Sequence, residues 1–107
     1  MARTFVVYIL SNEARQLYAG VTSRFLQRMW EHKSGAVPGY SCRHGISQLV
    51  YWEHGPNALS AIAREKEIKG MRRSRKLALI ESLNPDWRDL YEDLYPEPRS
   101  APSLRSG

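Results

Sequence analysis

Tyr8 and Tyr18 sit in two short runs of strand-forming residues, Phe5-Val6-Val7-Tyr8-Ile9-Leu10 and Gln16-Leu17-Tyr18-Ala19-Gly20-Val21. A helical pattern follows at once and sets Arg28 and His32 four residues apart, on one face, with Arg24 a turn earlier. Two phenols and an imidazole can move protons, and a guanidinium can hold a phosphate through two hydrogen bonds. Together they suit phosphodiester chemistry. Each also has a plainer reading. Strand tyrosines commonly pack in cores with the hydroxyl satisfied at an edge, and Arg24, Arg28 and His32 could form a solvated basic face. Gly20, two residues beyond Tyr18, weakens the plain reading, because a strand-end glycine admits close approach by a ligand or another backbone.

Farther along, Ala58, Ala61, Ile62, Glu65, Ile68 and Lys69 repeat at helical spacing, and Glu65 interrupts the apolar stripe between Ile62 and Ile68. A carboxylate there is costly unless paired, hydrogen-bonded or metal-bound. Arg64, Lys66 or Arg72 are candidate partners. Alternatively, a lone oxygen ligand suits one Mg²⁺ or Mn²⁺ that keeps most of its waters. The run Arg72, Arg73, Arg75, Lys76 is the densest positive patch, fit to track a phosphate backbone or simply to face solvent.

The elements that must position these groups follow from local pattern. Residues 4–10 read as a central strand and 16–21 as its hairpin partner, joined by the turn-forming 11–15. Thr22 or Ser23 can cap a helix whose core face is Phe25, Leu26, Met29 and Trp30, ended by Gly35. Residues 34–45 read as a mobile basic loop and 46–53 as a third strand. Asn57 caps a helix over 58–69, and Gly70 stops or bends it. After the basic run, residues 77–83 form a short helix that Asn84-Pro85 ends. Trp87, Leu90 and Tyr91 suggest a last amphipathic turn within 86–94, and residues 95–107, rich in proline and serine, read as a disordered tail. The order β-β-α-β-α-α predicts an α+β domain with a small mixed or antiparallel sheet flanked by helices.

A chain of 107 residues is one small domain, and its net charge of +5 puts nucleic acid first among partners. The single cysteine, Cys42, forms no internal disulfide and no zinc or iron–sulfur cluster. That fits a reducing, cytoplasmic setting. The apolar run 5–10 is too short for a secretion signal or a membrane span, so no membrane partner is expected. No Walker loop, dinucleotide fingerprint, nucleophile elbow or His-Glu-x-x-His is present, which removes ATP-driven, redox and zinc-hydrolase readings.

Taken in order, Val6-Val7-Tyr8, Tyr18-Ala19-Gly20, Arg28 with His32, Glu65 and Asn84 resemble the GIY-YIG nuclease superfamily. Leu17 to Thr22, Arg28 to Lys33, Ala63 to Lys66 and Ile80 to Trp87 look like its small stand-alone bacterial members, related to the N-terminal nuclease domain of the excision-repair C subunit. The resemblance spans about residues 3–94. Val6 stands where the family name has glycine, and Ala19 where isoleucine or valine is common. The resemblance implies a three-stranded antiparallel sheet within a 1–94 nuclease-like domain, and metal-dependent cleavage of DNA in repair or processing. It implies that Tyr8 or Tyr18 helps activate water, Tyr8 being favoured, that Arg28 holds the phosphate, and that His32 assists proton transfer or positions Tyr8. It further implies that Glu65 holds one Mg²⁺ or Mn²⁺ and that Asn84 orients part of the site. Arg24, Lys69, Arg72, Arg73, Arg75 and Lys76 would then bind nucleic acid around it. Two other readings stand beside this one: a non-catalytic nucleic-acid-binding module, and a protein-docking domain using Trp87 and Tyr91.

Overall fold

The structure is a computed structural model that describes residues 4–36 and 39–94. The element order is β1 (Phe5–Ser11), β2 (Leu17–Thr22), α1 (Phe25–Ser34), α2 (Tyr40–Arg43), β3 (Gln48–Gly55), α3 (Ala58–Lys69) and α4 (Arg73–Leu83). A 3₁₀ turn, Leu90–Leu94, follows. The three strands form one antiparallel sheet in the order β2-β1-β3. β1 is therefore central, as its nearly unbroken apolar run demands, and from Val6 to Ser11 every residue is buried. The expected tail, 95–107, lies outside the described residues.

Alternation along β1 divides the core into two layers. Val6, Tyr8 and Leu10 pack with Met29 of α1, Ile46, Leu49 and Leu90. Val7 and Ile9 pack with Val50, Tyr51, Ala61, Ile68 and Ile80 beneath α3 and α4. The register slips between Ile9, opposite Tyr51, and Leu10, opposite Leu49. Val50 is thus the extra residue of a β-bulge, which turns Val50 and Tyr51 to the same layer.

The helix boundaries have local causes. The Thr22 hydroxyl accepts a hydrogen bond from the Arg24 N–H at 2.9 Å just before α1, while Arg24 itself caps without a side-chain bond. Gly35 ends α1 in the left-handed conformation (φ 76°), where a side chain would be strained. Asn57 caps α3 by accepting from the Ser60 N–H at 2.9 Å.

Several expectations are corrected. Leu26 and Trp30 of α1 are 48% and 56% exposed. The buried face is instead Phe25, Met29 and His32, spaced four and three apart. The third strand is displaced to 48–55, and the loop expected over 34–45 contains the four-residue α2. The basic run lies mostly within α4, which begins at Arg73 rather than near Leu77. On α3 the buried positions are Ala61 and Ile68, while Ile62 faces outward.

Candidate active site

β1 delivers Tyr8 into the layer beneath α1, and the ring is 1% exposed. Its register partner on β2 is Gly20. A Cβ there would stand 2.5 Å from the Tyr8 hydroxyl oxygen and 2.6 Å from its Cζ. The Tyr8 phenol therefore lies across Gly20 and occupies the space a side chain would fill, the physical reason for a glycine at this place. The Tyr8 hydroxyl meets His32 Nε2 at 3.2 Å. Tyr18 of β2 completes the cluster, its ring centroid 5.6 Å from that of His32. Phe25 and Trp52 close it on the β3 side, with Tyr8 and Phe25 centroids 6.4 Å apart and Phe25 and Trp52 5.1 Å apart.

Burial sets the protonation states. It raises the Tyr8 phenol well above its ordinary range, with Tyr18 adding to the effect and the Arg28 charge opposing it. Burial likewise lowers His32, and Arg28 lowers it further. A neutral imidazole whose Nε2 accepts from the Tyr8 hydroxyl satisfies both groups. Arg28 is held by Glu31, Nε to Oε1 at 3.3 Å, and its side chain stays 42% exposed. Its charge thus reaches both buried groups while the guanidinium remains open to a ligand.

Glu65 comes from α3, which packs on β1 and β2. Its side chain is only 13% exposed, and its negative charge is felt at the Tyr8 phenol. Its partner is Lys69, one turn on, at 2.6 Å. Arg64 is committed elsewhere, to Glu53 at 2.9 Å and Glu67 at 3.0 Å, so the expected partners Arg64, Lys66 and Arg72 are replaced by Lys69. Among the described residues no group of three or more His, Cys, Asp or Glu side chains is assembled to hold a metal ion. The donor chemistry fits a different mode, one hard carboxylate countered by an exposed ammonium that a divalent cation can displace.

Asn84 does not join this cluster. It is 3% exposed and caps the end of α4. Its amide N–H groups donate to the carbonyls of Val50 at 3.1 Å and Arg88 at 2.8 Å, and its Oδ1 accepts from the Arg88 N–H at 3.0 Å. The Val50 carbonyl belongs to the bulge, so Asn84 is a clamp on the irregular point of β3, in the layer opposite Tyr8.

The basic residues separate as well. Arg24, Arg72 and Arg75 are exposed, and Arg73 donates to the Arg15 carbonyl at 2.7 Å. Lys69 and Lys76 line a cleft beside β2. Trp87 carries the Arg15 guanidinium 4.2 Å above its ring, and Tyr91 packs on the Tyr8 layer, so the two aromatics proposed for protein docking are engaged within the fold. Sequence reasoning missed Asp89. It pairs with Lys33 of α1 and accepts from the N–H groups of Leu49 and Tyr91, each at 3.1 Å. It ties the last turn to both α1 and β3. Nothing in the periodicity marks it, because its partners on β3 and α1 are 40 and 56 residues away.

Comparison with known proteins agrees with this architecture. The GIY-YIG catalytic domain model matches residues 4–78. A UPF0213 protein of Clostridium perfringens is 38% identical over 76 residues, covering 71% of this chain and 82% of the relative. A UPF0213 protein of Natronomonas pharaonis is 34% identical over 80 residues, covering 75% and 94%. The solution NMR structure of a UPF0213 protein from Bacillus halodurans superposes with a TM-score of 0.54 at 26% identity, covering 83% of this chain and 95% of that one. No helix among the described residues is long and apolar enough to cross a membrane.

Proposed function

This chain belongs to the GIY-YIG family, a nuclease superfamily acting on nucleic acid, and from that premise we propose that it is a divalent-metal-dependent endonuclease hydrolysing DNA phosphodiester bonds. A cytoplasmic role in repair or processing of DNA accords with its charge and lone cysteine. The observation that carries the reading is the buried 3.2 Å contact between the Tyr8 hydroxyl and His32 Nε2, within reach of the Arg28 and Glu65 charges.

In this reading Tyr8 is the general base and His32 its proton acceptor. A phenol raised by burial does not ionise beforehand at neutral pH. Its proton must leave as it takes one from the attacking water, and neutral His32 Nε2 is placed to receive it. Arg28 binds the non-bridging phosphate oxygens and stabilises the charge that develops on them. Tyr18 packs beside His32 and holds the imidazole toward Tyr8. Glu65 would hold one Mg²⁺ or Mn²⁺, exchanging Lys69 for it. Once bound, such an ion supplies Lewis acidity at the phosphate.

The test is a nicking assay on supercoiled, single-stranded and branched DNA with Mg²⁺ or Mn²⁺, using Glu65→Ala as control. Metal-dependent cleavage that the substitution abolishes, with DNA binding retained, is the expected result. Tight binding without cleavage on any substrate would replace the nuclease by a non-catalytic binding module.

A further inference from the structure

We propose that the cleft along the free edge of β2 receives an unpaired nucleobase of the strand whose phosphate lies at the Tyr8–His32 cluster, which makes single-stranded or locally unpaired nucleic acid the substrate class. This rests on the nuclease reading above.

The cleft holds about 280 Å³. That is just below the ~300–1,000 Å³ typical of drug-sized ligand sites. It offers room for one planar heterocycle and none for a duplex. Leu17, Tyr18 and Ala19 all line it. Consecutive strand residues point to opposite faces, so a cleft lined by all three runs along the backbone edge. β2 is an outer strand of the sheet, so among the described residues this edge carries N–H and C=O groups without strand partners. Such groups match the donors and acceptors on a base's rim. Leu17 and Ala19, both partly exposed, supply an apolar wall for the base's face, and Ile9 and Ile68 lie fully buried beneath it. Among the described residues, Lys69 and Lys76 are the two charged ones that line it, and no carboxylate does. Both ammonium groups can meet flanking phosphates.

Tyr18 joins the two places. It lines the cleft and also packs against His32. Lys69 does the same on the other side, through its 2.6 Å pair with Glu65. A base seated in the cleft would therefore fix the strand relative to the reacting groups. A base stacked in a duplex must first leave the stack, which is cheapest where the strand is already unpaired.

Binding is measured by fluorescence anisotropy on the full chain in EDTA, so that cleavage plays no part. The probes are a single-stranded oligonucleotide and an oligonucleotide of equal length built of abasic residues. The base-bearing strand should bind at least ~10-fold tighter, the ratio expected when one base is seated. Ala19→Leu, which fills the cleft, should lower affinity for the base-bearing strand to the abasic level and leave abasic binding unchanged. Lys76→Ala should weaken both probes equally and flatten their salt dependence. A 2-aminopurine strand, whose fluorescence reports unstacking and burial, gives a second readout on the unaltered chain if Ala19→Leu fails to fold. Equal binding of both probes by the unaltered chain, or a preference that survives Ala19→Leu, would overturn the proposal. Cleavage without base preference would sink this inference alone. Base preference without cleavage would sink the nuclease reading alone.

Discussion

The two layers of this sheet bury polar groups to opposite ends. Beneath α3 and α4, Tyr51 donates to Glu53 at 2.5 Å, Glu53 meets Arg64 at 2.9 Å, and Asn84 bonds the Val50 and Arg88 backbone. These groups answer one another, and their partners are fixed parts of the fold. Beneath α1, Tyr8 and His32 also pair, but each is held away from its ordinary pKa by burial, with charges from Arg28 and Glu65 close by. The first arrangement uses burial to make a shape. Burial raises the Tyr51 phenol too, but its hydroxyl is committed to Glu53. The second arrangement sets a phenol and an imidazole against each other beside an exposed guanidinium, and such perturbed groups cluster where chemistry occurs.

One pair of substitutions breaks that comparison if it is wrong. Tyr8→Phe keeps the ring across Gly20 and removes only the hydroxyl, so cleavage should fall by about 10²–10⁴-fold. Stability should fall as well, by up to about 1–3 kcal/mol, because the buried His32 Nε2 loses that donor. Asn84→Ala leaves the Val50 carbonyl at the bulge without its side-chain donor and should cost about 1–3 kcal/mol of stability. The activity remaining per folded molecule should stay near that of the unaltered chain. Urea melts and single-turnover cleavage, run on both variants, check the split. If Asn84→Ala loses as much activity as Tyr8→Phe without losing stability, the two layers do not divide the labour as argued.

Gly20→Ala tests whether the space above β2 is structural or functional. The added methyl meets the Tyr8 hydroxyl and Cζ far inside contact distance. The ring must move, and its bond to His32 goes with it. Overpacking costs about 1–3 kcal/mol. Misplacing a reacting group by about 1 Å costs on the order of 10²-fold in rate. Both losses are expected together, read from denaturant titration and from cleavage. A variant with lowered stability and full activity would show that the position of Tyr8 does not govern catalysis.

Much of the layer proposed as the site was legible in the chain because polar, proton-bearing groups interrupt runs that otherwise read as apolar. Tyr8, Tyr18 and His32 stand out by type and spacing. Glu65 stood out as a carboxylate on a helix that must bury a face, although its apolar neighbours proved to be Ala61 and Ile68 rather than Ile62. The other layer was less legible. Leu49-Val50-Tyr51-Trp52 has no alternation, so nothing local marks the bulge at Val50, and without the bulge Asn84 has no visible purpose. Leu26 and Trp30 misled because apolar type outweighed the four-and-three spacing of Phe25, Met29 and His32. The run from Arg72 to Lys76 carries no apolar period of its own, and so hid the start of α4.

The acid limb of the rate profile sharpens the claim about the active layer. His32 must be neutral to accept the Tyr8 proton, and burial, then the Arg28 charge, lower its pKa from the ordinary 6.5. Activity should therefore persist below pH 6.5 and fall about tenfold per pH unit only beneath the depressed value. NMR titration of the His32 ring in the metal-free protein gives the same midpoint independently. A rate midpoint at or above 6.5 would remove His32 as the acceptor.

The smallest expected effect belongs to the shape-making layer and appears only in alkali. Burial, then the bond to Glu53, pushes the Tyr51 phenol up to about 12, against 10 for an ordinary tyrosine. The sign follows from proton counting. Below pH 10 the phenol is neutral in folded and unfolded chains alike, and its contribution to stability is fully present. Between pH 10 and about 12 the unfolded chain releases the proton while the folded one keeps it, so stability falls as pH rises. Tyr51→Phe removes this part of the slope. Tyr8 is raised too, so a slope should remain, and Tyr8→Phe should remove a further part of it. The two substitutions thus look alike in alkaline melts and differ in the nuclease assay: Tyr51→Phe should leave the rate near that of the unaltered chain. If Tyr51→Phe slowed cleavage as Tyr8→Phe does, the hydroxyl facing Glu53 would belong to the chemistry, and the division between the layers would have to be redrawn.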